Sequence, residues 1–141
     1  MSETAPLTAE QIQASMDSSP YIRFHQMRCE RVDHGTQTVV VHMPMRPELE
    51  RAPGSGQWHG GAIAALIDTA GDYALALVVG GGVPTINFRT DFLRPASNTD
   101  LLATAAVRRA GRTIGVVDVD VHDEEGQLVA VGRGCYSTRP G

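Results

Sequence analysis

Asp68 and the triplet His59-Gly60-Gly61 are the residues whose types and spacing could do chemistry. They share one segment, HGGAIAALIDTAGDYALALVV, in which Asp72 is the only other acid. A carboxylate in so apolar a run is costly to bury unless it is paired or hydrogen-bonded. It is therefore a candidate for acid–base or nucleophilic work. The triplet reads as a helix start. There, unsatisfied N–H groups and the helix dipole attract developing negative charge, and glycine lets a ligand approach the backbone closely.

Spacing limits how these groups can cooperate. Gly60 and Asp68 are eight residues apart, which is about 12 Å along a helix rising 1.5 Å per residue. Reacting groups must approach within roughly 3–3.5 Å, so one helix cannot bring both to one reacting atom. Two such helices packed antiparallel about a two-fold axis would do so, with two equivalent sites per dimer. Asp72 follows Asp68 by one turn on the same face. Either its charge disfavours ionisation of Asp68 and makes it a better base near neutral pH, or it faces the site mouth as a solvated or paired charge. His59 reads as a brace for the loop and helix start rather than as a proton carrier.

The surrounding elements must position this helix. Thr8-Ala9-Glu10-Gln11 fits a capping box, so a short helix is expected to about Asp17, ended by Ser18-Ser19-Pro20. Met1–Leu7 reads as a loose tail. Tyr21–Val32 and Thr36–Met43 read as strands, and Pro44–Trp58 as a loop into the helix Gly60–Val79, which stops at Gly80-Gly81-Gly82. Four strands are expected at Pro84–Arg94, Leu101–Arg109, Thr113–His122 and Gln127–Thr138, the last three as an antiparallel meander. Residues 1–20 thus form a tail and short helix, and residues 21–141 a single domain. One apolar helix and about six antiparallel strands bury their apolar faces only if the sheet curls around the helix, an α+β arrangement. Ile86, Phe88 and Phe92 fall on one face of their strand, while Asn87, Arg89 and Asp91 fall on the other, which suits a surface or a subunit interface.

Composition narrows the function classes. The 141 residues carry 42% hydrophobic and 20% charged residues and a formal charge of −4. That balance fits a folded globular chain and gives no nucleic-acid footprint. All twelve basic residues are arginine, which excludes Schiff-base and phosphate-loop lysines. Cys29 and Cys135 have no metal or redox spacing, and the polar, acidic Met1–Pro20 does not read as a signal peptide, so a cytoplasmic location is expected. Ala62–Val79 has membrane-span length, but Asp68, Gly71 and Asp72 argue for a helix wrapped by protein. His25 and His42 fall in separate strands, and with His34 and His122 they form no metal constellation, so no metal is expected.

HGGAIAALID, the strand end DFLRPA, the turn GRT and the terminal EEGQLVAVGRGCYS carry a resemblance. From about Tyr21 to Thr138 the chain resembles the hotdog-fold acyl-CoA thioesterases of the PaaI type. The resemblance implies a curved antiparallel sheet of about six strands around one long central helix. It implies hydrolysis of an acyl-CoA to free acid and CoA with no cofactor. It also implies a homodimer with shared active sites, often paired into a homotetramer. The Gly60 N–H would polarise the thioester carbonyl, with Gly61 assisting, and Asp68 would act as general base or as nucleophile. Thr85 matches a hydroxyl found near the attacking water in relatives, beside its reading as an ordinary strand threonine. Asp72 matches a polar position that helps hold that water.

The sequence departs from the family ahead of the triplet. Many relatives carry asparagine or glutamine six residues before the histidine to contact the substrate carbonyl, where this chain has Pro53. Gln57 could take that contact if the loop is shifted. Trp58, Tyr21 and Met27 are candidates for an acyl pocket, and Phe24 is expected in the core. Arg94, Arg108, Arg109, Arg112 and Arg139 are candidates for the phosphates of CoA. Two other readings stay open: a hotdog dehydratase or hydratase, which needs a histidine base with an acid, and a non-catalytic acyl-CoA-binding module.

Overall fold

The computed structural model describes residues 6–139, so the first five positions of the expected tail lie outside the described residues. Helix α1 (Ala9–Asp17) starts on the expected capping box. Thr8 Oγ1 accepts from the Gln11 N–H at 3.1 Å, and the Gln11 side chain accepts from the Thr8 N–H at 2.9 Å. Ile12 and Met16 on its inner face are buried in the same core as the rest of the chain.

The expected strand Tyr21–Val32 is not one element. Pro20–His25 forms a second helix, α2, and strand β1 spans only Arg28–Asp33. The cause is local. Ser19 Oγ accepts from the Ile22 N–H at 3.3 Å, and Pro20 occupies the first turn, where its missing N–H costs nothing. Ser18-Ser19-Pro20 therefore closes α1 and also opens α2. Gln26, at φ 55°, ends the helix. His25 consequently sits on a helix. Phe24, expected in the core, is 50% exposed, with the Arg46 guanidinium 5.1 Å over its ring.

The remaining elements are β2 (Thr38–Met43), a 3-10 turn at Pro47–Leu49 within the expected loop, α3 (Gly60–Val79), β3 (Thr85–Phe92), β4 (Leu101–Ala110), β5 (Ile114–Asp123) and β6 (Leu128–Ser137). The strands form one antiparallel sheet in the order β1-β2-β4-β5-β6-β3, with β4-β5-β6 as the expected meander. Strand periodicity sets the core. Val39 and Val41 of β2, Ala103 and Ala105 of β4, and Val117 and Val119 of β5 point to one side and are buried. They cover α3, whose Leu66, Ile67 and Leu75 are fully buried, each contributing about 1.5–3 kcal/mol. Two strand glycines let the sheet close on the helix. A Cβ on Gly132 would lie 2.6 Å from the Ile67 side chain, and one on Gly115 would lie 2.7 Å from Leu75. Helix α3 has the length and hydropathy of a membrane span, and here its apolar stripe is spent on the sheet.

Edge strand β3 is less covered than its alternation suggests. Ile86, Phe88 and Phe92 are 52%, 38% and 55% exposed. On the opposite face the charges pair locally, with Arg89 Nη2 donating to Asp91 at 3.2 Å.

Candidate active site

Asp68 is held from two directions. The Thr85 hydroxyl donates to Asp68 Oδ1 at 2.8 Å, and the Tyr136 hydroxyl donates to the Asp68 carbonyl oxygen at 3.0 Å. Thr85 and Tyr136 are themselves paired across β3 and β6, just before an irregularity in the ladder at Thr85–Asn87. Tyr136 reaches the helix through a gap left by two glycines. A Cβ on Gly71 or Gly134 would fall 2.1 or 2.3 Å from its hydroxyl oxygen. Asp68 Oδ2 takes no hydrogen bond from any described residue.

Asp72 Oδ1 accepts from the Val83 N–H at 3.1 Å. Both acids line a cavity of about 400 Å³ with Ile22, Tyr73, Val83 and Pro84. Burial pushes the Asp68 carboxyl above its ordinary range, and the Thr85 hydrogen bond pulls partly back. Burial also pushes Asp72 up, to about 6. The Val83 N–H opposes that rise and the Asp68 charge adds to it. Desolvation, rather than the neighbouring charge, is thus what lifts Asp68.

The helix start forms a second cavity, of about 340 Å³, at the other end of β3. His59 is the N-cap, and its Nδ1 accepts from the Gly61 N–H at 2.8 Å. The Gly61 amide, expected from the sequence to assist as an oxyanion donor, thus donates to His59 in this structure. Gly60, at the first helical position, keeps its N–H outside the helix ladder. Phe92 packs there, 3.2 Å from where a Gly60 Cβ would sit. Trp58 lines this cavity and is anchored by Nε1 donating to the Thr99 carbonyl at 2.8 Å. Gln57 lines it too, and its Oε1 accepts from Arg51 Nη1 at 3.4 Å. Pro53 is exposed on the preceding turn.

The structure brings Asp68, Asp72 and Thr85 together, and separately Gly60, Gln57, Trp58 and Arg94. The two cavities share no lining residue. Of the arginine candidates only Arg94 lines either of them, joined by Arg51, which the sequence did not single out. Arg109 and Arg112 lie exposed at the β4–β5 turn. Arg108 pairs with Asp118 at 3.4 Å, and Arg139 is exposed after β6. Met27 is core, and Tyr21 is 60% exposed. Tyr136 was also missed. Its signal would have been the small residues Gly71 and Gly134 facing it, and these become visible only once the two elements are paired.

Comparison with known proteins bears on the family and the fold. The thioesterase superfamily pattern matches residues 55–130. Over 136 residues the chain is 37% identical to a Halobacterium salinarum protein described as a candidate esterase, covering 89% of this chain and 88% of that one. It is 40% identical over 80 residues to acyl-coenzyme A thioesterase PaaI of Escherichia coli K12, covering 54% of each. The solved structure of the E. coli PaaI protein matches with a TM-score of 0.78 at 28% identity, covering 92% of this chain and 91% of that one. With its six-stranded antiparallel sheet wrapped on one long helix, the chain belongs to the thioesterase superfamily and has the hotdog fold.

Proposed function

We propose that this protein hydrolyses acyl-CoA thioesters as a homodimer whose sites each combine two subunits. The observation that carries the reading is the separation of the two half-sites. Gly60 opens one cavity and Asp68 another, with no residue in common. Strand β3 runs between them as an open edge eight residues long, bearing exposed Ile86, Phe88 and Phe92. An edge of that length and polarity invites pairing with a copy of itself. Two-fold pairing along β3 would set the Gly60 cavity of one protomer against the Asp68 cavity of its partner.

The chemistry follows from the groups. Asp68 acts as general base. Its Oδ1 is held by Thr85, and Oδ2 is left to accept from a water. The water oxygen attacks the thioester carbonyl carbon while Asp68 takes its proton. The Gly60 N–H of the other subunit, aided by the helix dipole, holds the oxyanion. Collapse breaks the C–S bond, and Asp68 returns the proton to the leaving CoA thiolate. A carboxyl lifted by burial is a stronger base than an exposed one. Arg51 and Arg94, which line the Gly60 cavity, would meet CoA phosphates, and Gln57, which lines it too, the substrate carbonyl. The unpaired Cys29 and Cys135 support a reducing, cytoplasmic setting.

The test is thiol release from a panel of short, long and aromatic acyl-CoAs by wild-type and Asp68→Asn protein. Turnover that disappears in a folded, dimeric Asp68→Asn supports the assignment. Unchanged turnover in that variant rejects Asp68 as the base, and binding without turnover by wild type points to a non-catalytic module.

A further inference from the structure

Helix α3 and strand β3 are joined by Gly80-Gly81-Gly82-Val83-Pro84. Gly80 ends the helix at φ 92°, its N–H on the Ala76 carbonyl at 2.8 Å. A Cβ on Gly80 or Gly81 would meet nothing within 4 Å, so the first part of the link is nearly free of packing. Yet this link delivers Thr85 to Asp68. The first fixed point along it is Val83, whose side chain is buried and whose N–H donates to Asp72 Oδ1 at 3.1 Å. Pro84 then accepts from the Ser137 N–H at 2.9 Å, and Thr85 donates to Asp68 at 2.8 Å. Two carboxylates one turn apart on α3 therefore grip two points, two residues apart, on the same incoming segment.

We infer that Asp72 is a positioning residue: through the Val83 N–H it fixes the start of β3 so that the Thr85 hydroxyl stays on the Asp68 carboxylate. The inference rests on the reading of Asp68 as the base. It gives Asp72 a task distinct from holding water or moving a proton. The glycine link itself offers little packing, and Asp72 adds to the tie that Tyr136, paired with Thr85, makes to the Asp68 carbonyl a second one at Val83, two residues before Thr85.

The test compares kcat and KM for wild type, Asp72→Ala, Asp72→Asn, Thr85→Ala and the double variant Asp72→Ala/Thr85→Ala. Hydrogen exchange at the Val83 amide is followed in each. Asparagine keeps an acceptor oxygen and alanine does not. Where alanine leaves the protein unfolded, Asp72→Leu fills the space without an acceptor and takes its place. Loss of one hydrogen bond of ordinary strength corresponds to about tenfold. Asp72→Ala should lower kcat by about that factor with little change in KM, and Asp72→Asn should recover most of the loss. Because Asp72 acts through Thr85, the double variant should be no slower than Thr85→Ala alone. Val83 exchange should speed up in Asp72→Ala and stay slow in Asp72→Asn. Equal losses in the alanine and asparagine variants would overturn the inference in favour of direct chemistry by the carboxylate. So would additive losses in the double variant, or unchanged Val83 protection in Asp72→Ala. If wild type cleaves no acyl-CoA, the thioesterase reading fails by itself, and the exchange measurement still decides whether Asp72 anchors Val83.

Discussion

Asp72 makes stability depend on pH in a way that one substitution can expose. Burial and the Asp68 charge push its carboxyl from 3.8 to about 6 in the folded chain. Below about pH 3.8 the folded and unfolded chains both hold the proton, and nothing is lost. As pH rises towards 6 the unfolded chain ionises freely and the folded chain does not, so stability falls. Above 6 the penalty is constant. The difference of about 2.2 (6 − 3.8) corresponds to about 3 kcal/mol at 1.36 kcal/mol per pKa unit. Asp72→Asn removes the ionisation and keeps an acceptor for Val83. At pH 7.5 the variant should therefore gain up to about 3 kcal/mol, or roughly 6–12 °C in Tm for a domain of this size. At pH 4.5 the same linkage gives only about 1 kcal/mol. Any cost of satisfying the new amide N–H2 applies equally at both values, so the difference between them is the quantity to read. Urea unfolding at matched protein concentration, at pH 4.5 and 7.5, measures it. A gain of the same size at both pH values would refute the reasoning, because it would mean that the folded chain does not resist ionising Asp72.

Other perturbations test the rest of the architecture. Phe88→Asp places a charge on the exposed edge of β3 and should yield a monomer by sedimentation with hydrolysis lost; an active monomer would rule out a shared site. Arg51→Ala and Arg94→Ala should each raise KM for acyl-CoA about two- to fivefold, as expected for exposed charges, and leave an acyl-pantetheine substrate unaffected. Gly71→Ala drives a Cβ to 2.1 Å from the Tyr136 hydroxyl oxygen and should destabilise by about 1–3 kcal/mol or more. Adding Tyr136→Phe should return part of that loss, and additive losses in the pair would place the strain elsewhere.

Parts of this molecule were legible in the sequence because their signals are local. Thr8 and Gln11 make a capping box from side chains three residues apart, and the glycine run after Val79 stops α3 where expected. The β4-β5-β6 meander followed from turn residues between β-branched runs. Helix α2 was not legible because Ser-Ser-Pro reads as the end of α1, while the Ser19–Ile22 hydrogen bond makes the same residues open a second helix. The separation of Gly60 from Asp68 followed from helix rise alone, and the structure puts them on two cavities with no lining residue in common. What escaped the sequence needs contacts between distant elements. Tyr136 lies 68 positions from the carbonyl it bonds. Val83 acts through its backbone N–H, which any residue but proline supplies. Arg51 sat in a loop whose path composition does not fix.

The residues that make α3 a good core helix also set the state of its acid. Gly71 lets Tyr136 approach closely, and the packing of the helix on the sheet withdraws the Asp68 side chain partly from water. That desolvation lifts the carboxyl above its ordinary range. The single Thr85 hydroxyl partly offsets it and still leaves Oδ2 uncommitted. Had β3 supplied two donors, the carboxylate would be more stable, a weaker base, and closed to water. For the proposed role of Asp68 as general base, a single donor leaves one carboxylate oxygen free to accept from water. That donor stands on a strand reached through three glycines, and the start of this strand is tied to the helix as well as to the sheet.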